Sequence, residues 1–186
     1  VTQVGIDLGA QPGTNAGDGQ ADTIVINGTN GNDAITVTNN NGVVTVSGLT
    51  TAVTISNFEA NDRIVINGLG GDDAITASGL TGMLFTANGG EGADVLVGSL
   101  GNDILSGGNG DDVLIGGGGQ DALDGGPGDN VVVQSATIGG GSPASAALLG
   151  QFMASSFVPA SGGESGTPIA DASASQQQPL LTQPHA

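Results

Sequence analysis

The sequence is short of most things that build an ordinary globular core or an active site. It has no Cys, Trp or Tyr and only four Phe. Without Cys there is no disulfide stapling and no thiol chemistry. Lys is also missing, which removes Schiff-base chemistry and Lys-based isopeptide cross-links. The one basic residue is Arg63, and the one His is the penultimate residue, His185. Neither an HExxH zinc motif nor a GxSxG nucleophile elbow occurs. Paired carboxylates such as Asp72/Asp73 and Asp111/Asp112 have no sugar-stacking aromatics beside them, so turn or metal roles explain them better than glycoside hydrolysis. The chain is therefore read as a non-enzyme. No apolar stretch is long enough to span a membrane, and no charged-then-apolar leader opens the sequence. It begins at Val1, which is read as a fragment or a processed product.

Glycine and acid are abundant. Gly supplies 36 of 186 residues, without a Gly-X-Y period, which excludes collagen. Eighteen acidic residues against one basic residue give a formal net charge of −17. Nucleic acid and anionic membrane surfaces are disfavoured as partners. A compact state of that charge repels itself unless cations neutralise it.

The organising stretch is Gly89–Val133: GGEGADVLV, GSLGNDILS, GGNGDDVLI, GGGGQDALD, GGPGDNVVV. These are five nine-residue units without insertion, each with Gly fourth, Asp or Asn sixth, and Leu or Val eighth. The form GGxGxDxUx, with U large and apolar, is the signature of a calcium-binding parallel β-roll. A solenoid needs little bulk in its core, because each coil packs only on its neighbours. Upstream there is a second repeat: Asp22–Thr36 and Asp62–Thr76 share 11 of 15 positions at an offset of 40 residues. Each copy contains a degenerate nonapeptide with Asp33 or Asp73 sixth. Between the copies, ITVT and VVTVS flank NNNG, a β-hairpin pattern. Further strands are expected at Val4–Leu8, Val53–Ser56 and Leu84–Thr86.

Three regions follow: irregular solenoid coils over 1–88, a regular roll over 89–134, and a low-complexity segment over 135–186. In the last, Ser142 and Pro143 suit an N-cap and first helical position. Leu148, Leu149, Phe152 and Met153 share one helical face, with Phe157 near it, which predicts a helix over 143–157.

Ca²⁺ takes six to eight oxygens, mixing carboxylates with carbonyls. The nonapeptide offers both. Residues 89–133 resemble the repeats-in-toxin (RTX) family of secreted bacterial proteins; residues 22–88 resemble it loosely. The resemblance implies an all-β, right-handed parallel β-roll or β-helix, two nonapeptides to a coil, followed here by the short helix and an extended tail. It implies cations between loops two units apart, pairing Asp94 with Asp112, Asp112 with Asn130, and Asp103 with Asp121. About three complete Ca²⁺ sites are expected, with possible upstream sites at Asp33 and Asp73. Backbone ligands are implied at Gly90, Gly92, Gly101, Gly108, Gly110 and Gly116. Two departures stand out: Ser99 replaces the second Gly of its unit, and Asn130 removes a charge, weakening its site.

Within each unit the eighth residue points inward and the seventh and ninth outward. One outer face then carries Val95, Val97, Val113, Ile115, Val131 and Val133; the other carries Ile104, Ser106, Ala122 and Asp124. The first is an apolar strip that a soluble protein seldom leaves bare. The 143–157 helix or a second chain is expected to cover it. The leading functional reading is a calcium-binding structural module of a secreted or cell-surface bacterial protein. It would stay unfolded at cytosolic calcium and fold outside, after passage through a one-step export channel that reads a C-terminal signal. One alternative is a self-assembling filament, matrix or surface-layer subunit, joined through the apolar strip, coil ends or tail. The other is the carrier module of a larger secreted enzyme.

Overall fold

The computed structural model describes residues 3–11 and 16–134, and the backbone of 137–138 and 142–143. The strands are β1 (Gln3–Asp7), β2 (Thr23–Asn27), β3 (Ala34–Asn40), β4 (Val43–Ser47), β5 (Ala52–Ser56), β6 (Arg63–Gly70) and β7 (Ala74–Gly79). They continue as β8 (Leu84–Glu91), β9 (Val95–Val97), β10 (Asp103–Asn109), β11 (Val113–Ile115), β12 (Ala122–Asp124) and β13 (Val131–Val133), with short β14 (Thr137–Ile138) and β15 (Ser142–Pro143). No helix occurs among the described residues, so none there could cross a membrane.

From β6 to β13 the strands alternate between two sheets. One runs β1-β5-β4-β3-β7-β9-β11-β13, the other β12-β10-β8-β6-β2. Two nonapeptides make one coil: Val95, Val113 and Val131 align in parallel, as do Ile104 and Ala122, each 18 residues apart. Upstream coils are longer. Ala74 aligns with Val95, an offset of 21, and Ala34 aligns with Ala74, an offset of 40. The 40-residue coil is longer because β4 and β5 fold out from it, pairing antiparallel beside β3. The β3–β4 turn is Asn41-Gly42, with φ of 53° and 82°. Positive φ at both central residues is the type I′ geometry that matches strand twist, which is why Asn-Gly stands there.

The core lies between the sheets. Ile35, Ile64, Ile66, Ile75, Phe85, Leu96, Leu105 and Leu114 are fully buried in it, with Leu123 and Val132 partly buried at the far end. Each such Leu or Ile contributes about 1.5–3 kcal/mol on burial.

One expectation holds and one needs correction. The Val/Ile strip is separate from the core and, as its apolar character requires, it is not bare. Val97, Val113 and Ile115 are 3%, 7% and 2% exposed, whereas Ile104, on the outer face of the other sheet, is 45% exposed. Val95, Val131 and Val133 pack against these three as a second apolar cluster. Strand alternation fixed the side of the sheet correctly; the cover over it is a tertiary property. The correction concerns Ser142 and Pro143. They pair antiparallel with Ile138 and Thr137 instead of opening a helix. The remainder of the expected helix, and the tail, lie outside the described residues.

Candidate metal centre

The nonapeptide loops lie along the two edges where the chain passes between sheets. Loops 28–33, 68–73, 89–94, 107–112 and 125–130 lead from the five-stranded sheet to the eight-stranded one. Loops 98–103 and 116–121 return on the other edge. On the first edge the sixth residues form a ladder. Each donates its backbone N–H to the Oδ1 of the next: Asp33 to Asp73, Asp73 to Asp94 and Asp94 to Asp112, all at 2.8 Å, then Asp112 to Asn130 at 2.7 Å. On the other edge Asp103 N–H donates to Asp121 Oδ1 at 3.0 Å. The ladder fixes each carboxylate and leaves Oδ2 to find its own partner.

Oδ2 separates the loops into two kinds. In loops 28–33 and 98–103 a hydroxyl residue stands second. Thr29 donates its N–H and hydroxyl to Asp33 Oδ2 at 2.6 and 3.0 Å. Ser99 does likewise to Asp103 Oδ2, at 2.6 and 3.1 Å. These loops are closed on themselves. In loops 68–73, 89–94 and 107–112 the second and fourth residues take positive φ, such as 120° at Gly90 and 125° at Gly92. There the Oδ2 atoms of Asp73, Asp94 and Asp112 are buried and have no hydrogen-bond partner. A buried, unpaired carboxylate oxygen is among the costliest groups in a fold, so these loops are open for a ligand.

The sequence of the regular stretch matches a known repeat family, the RTX calcium-binding nonapeptide repeat (four copies), over residues 88–123 and, overlapping, 97–132. Residues 88–132 are RTX calcium-binding repeats. No curated protein and no solved structure matches the chain.

The open loops of the RTX array fit a hard cation. A Cβ placed on Gly89 would meet Asp94 Oδ2, and Gly107 O at 2.5 Å. One on Gly107 would meet Asp112 Oδ2, and Gly125 O at 2.7 Å. A carboxylate oxygen and a carbonyl from the next coil thus face a space that only glycine leaves free. Asn130 shows what else converges there. Its Nδ2 donates to Gly126 O at 2.8 Å and Gly128 O at 3.4 Å, the second and fourth carbonyls of its loop. The amide supplies the positive end that a carboxylate cannot. Loop 116–121 is intermediate: Asp121 Oδ2 accepts from Gln134 Nε2 at 3.2 Å. Among the described residues no three acidic or His side chains converge. With one buried carboxylate in each open loop, a cation would draw most of its oxygens from the backbone, which suits calcium.

Burial, before any other cause, pushes Asp94 and Asp103 up to about 6. It also raises Asp73, Asp112 and Asp121 above the ordinary carboxylate value. For Asp94, neighbouring Asp112, Asp73 and Asp72 add repulsion.

The structure therefore brings Asp94 and Asp112 together, with Gly90, Gly92, Gly108 and Gly110 at the turning positions. Asp33 and Asp73 join the same column. Gly101 lies in the closed loop, its N–H donating to Ser99 Oγ at 3.0 Å. A Cβ on Gly116 would meet Asp121 Oδ2, so Gly116 lines that loop's cradle. Sequence reasoning missed the closing role of Ser99 and Thr29, the part of Gln134, and the first-position glycines Gly89 and Gly107. A hydroxyl in the second position was the readable sign of a closed loop.

Proposed function

We propose that the chain is a calcium-dependent structural module of a secreted protein, whose RTX repeats fold when they meet extracellular calcium. The supporting observation is the pair of buried, unpartnered oxygens, Asp94 Oδ2 and Asp112 Oδ2, stacked on successive coils inside those repeats. Burying a carboxylate without compensation costs on the order of several kcal/mol. A cation removes that cost and replaces it with attraction. The residues that would hold it are Asp94 and Asp112, with the carbonyls of the glycine-rich loops. When bound, the ion supplies charge neutralisation and cross-links successive coils.

Extracellular calcium modules work at dissociation constants of roughly 10⁻⁴–10⁻³ M. Cytosolic calcium leaves such sites empty and the external medium fills them, so binding is coupled to folding. The net charge of −17 opposes compaction until then. The other two expected pairs have less support. Asn130 satisfies its own loop carbonyls, and Ser99 holds the free oxygen of Asp103. The role is structural and not catalytic. Far-UV circular dichroism during a calcium titration tests the reading. A β-signal that appears with calcium is expected; one unchanged by chelation overturns it.

A further inference from the structure

Loop 68–73 lies outside the RTX match, yet it has the features of the open loops within it. Its nonapeptide is degenerate, GLGGDDAIT, and its coil offset is 21 residues instead of 18. Asp73 is nonetheless only 2% exposed, and its Oδ2 has no partner. Its Oδ1 is already used by the Asp33 N–H. A Cβ on Gly68 would meet Asp73 Oδ2, and Gly89 O at 2.5 Å, the pair of oxygens met at Gly28, Gly89, Gly98 and Gly107 alike, so the unpartnered Oδ2 is what sets this loop with the open ones.

Leu69 takes the second position. Its φ is +82°, a region that a side chain with a Cβ rarely adopts. The side chain is 45% exposed, so burial does little to offset that strain. The conformation does align the backbone: Leu69 O lies against Gly90 as Gly90 O lies against Gly108. Strain retained at a non-glycine residue points to a demand on that backbone. Loop 28–33, one coil earlier in the other copy of the 40-residue repeat, makes the contrast. Thr29 there closes onto Asp33 Oδ2, and neither Thr29 nor Gly31 takes positive φ.

We propose that loop Gly68–Asp73, facing loop Gly89–Asp94, forms a further calcium site outside the RTX repeats. Its oxygens are Asp73 Oδ2 and backbone carbonyls, Gly89 O among them. The site ties the irregular N-terminal coils to the regular array, and the column of open loops ends at it because Thr29 closes the next. The proposal rests on the calcium chemistry proposed for the array.

The test is the number of calcium ions bound per chain, by equilibrium dialysis, for the full chain and for Asp73→Asn, with circular dichroism to check the fold. The variant is expected to bind one ion fewer, with the remaining ions unaffected. An equal count in both overturns this site while leaving the array intact. A natural chain that binds no calcium overturns the array reading and this site with it. If Asp73→Asn fails to fold, Leu69→Thr takes its place. Thr in that position is expected to close the loop as Thr29 does, losing one ion while every carboxylate is kept; an unchanged count overturns the site.

Discussion

Asn130→Asp should convert the last rung of the ladder into an open loop. At low calcium the change is harmful. The Nδ2 bonds to Gly126 O and Gly128 O are lost, and a carboxylate oxygen takes the place of the amide. Leaving such groups unsatisfied costs about 1–3 kcal/mol. At high calcium the new carboxylate faces the same two carbonyls with a cation available. One added site with a dissociation constant of roughly 10⁻⁴–10⁻³ M gains about 1.4–2.3 kcal/mol between about 0.1 and 10 mM calcium. The variant should therefore be clearly less stable than the natural chain at the low concentration, with the deficit closing or reversing at the high one. Urea midpoints of both chains at the two concentrations measure this. A deficit independent of calcium would refute the idea that the amide stands in for an ion.

The pH dependence should change sign with calcium. Burial raises Asp94 and Asp103 from 3.8 to about 6, so the fold prefers them protonated. Without calcium, their contribution is fully present below the unfolded value and is lost as pH rises through about 6. Urea midpoints in calcium-free buffer should fall over that range; with calcium present they should rise, because protons compete with the ion. A calcium-free midpoint that climbs with pH would contradict this. Glycine substitutions should separate by position. Gly110→Ala places a Cβ at φ +135° against Gly92 O and should abolish or sharply weaken the calcium response. Gly101→Ala meets only Ser99 Oγ at 3.5 Å, an ordinary contact, and should leave the response near normal in the same titration.

Periodicity made the coil legible. The nonapeptide places Leu96, Leu105 and Leu114 in the core, because strand alternation is a local property; two units to a coil, which the family resemblance implies, is the register of the parallel strands. The Asn41-Gly42 turn is equally local. What escaped was whatever depends on a partner from elsewhere. Ser99 reads as a tolerable replacement for Gly, yet its hydroxyl occupies the free oxygen of Asp103. Leu69 looks unexceptional in a row of letters, but its φ is that of a glycine. The apolar strip implies that Val97 and Ile115 are covered, but no pattern within the strands reports by what.

The aspartate ladder has a polarity. Every Oδ1 reaches back to the N–H of the coil before it, so each loop is anchored by its C-terminal neighbour. The rung at the C-terminal end, Asn130, is neutral and satisfied within its own loop. It presents a finished acceptor before any ion arrives. The column thus ends in a cap that needs no ion, and each rung before it takes its hold from the rung that follows.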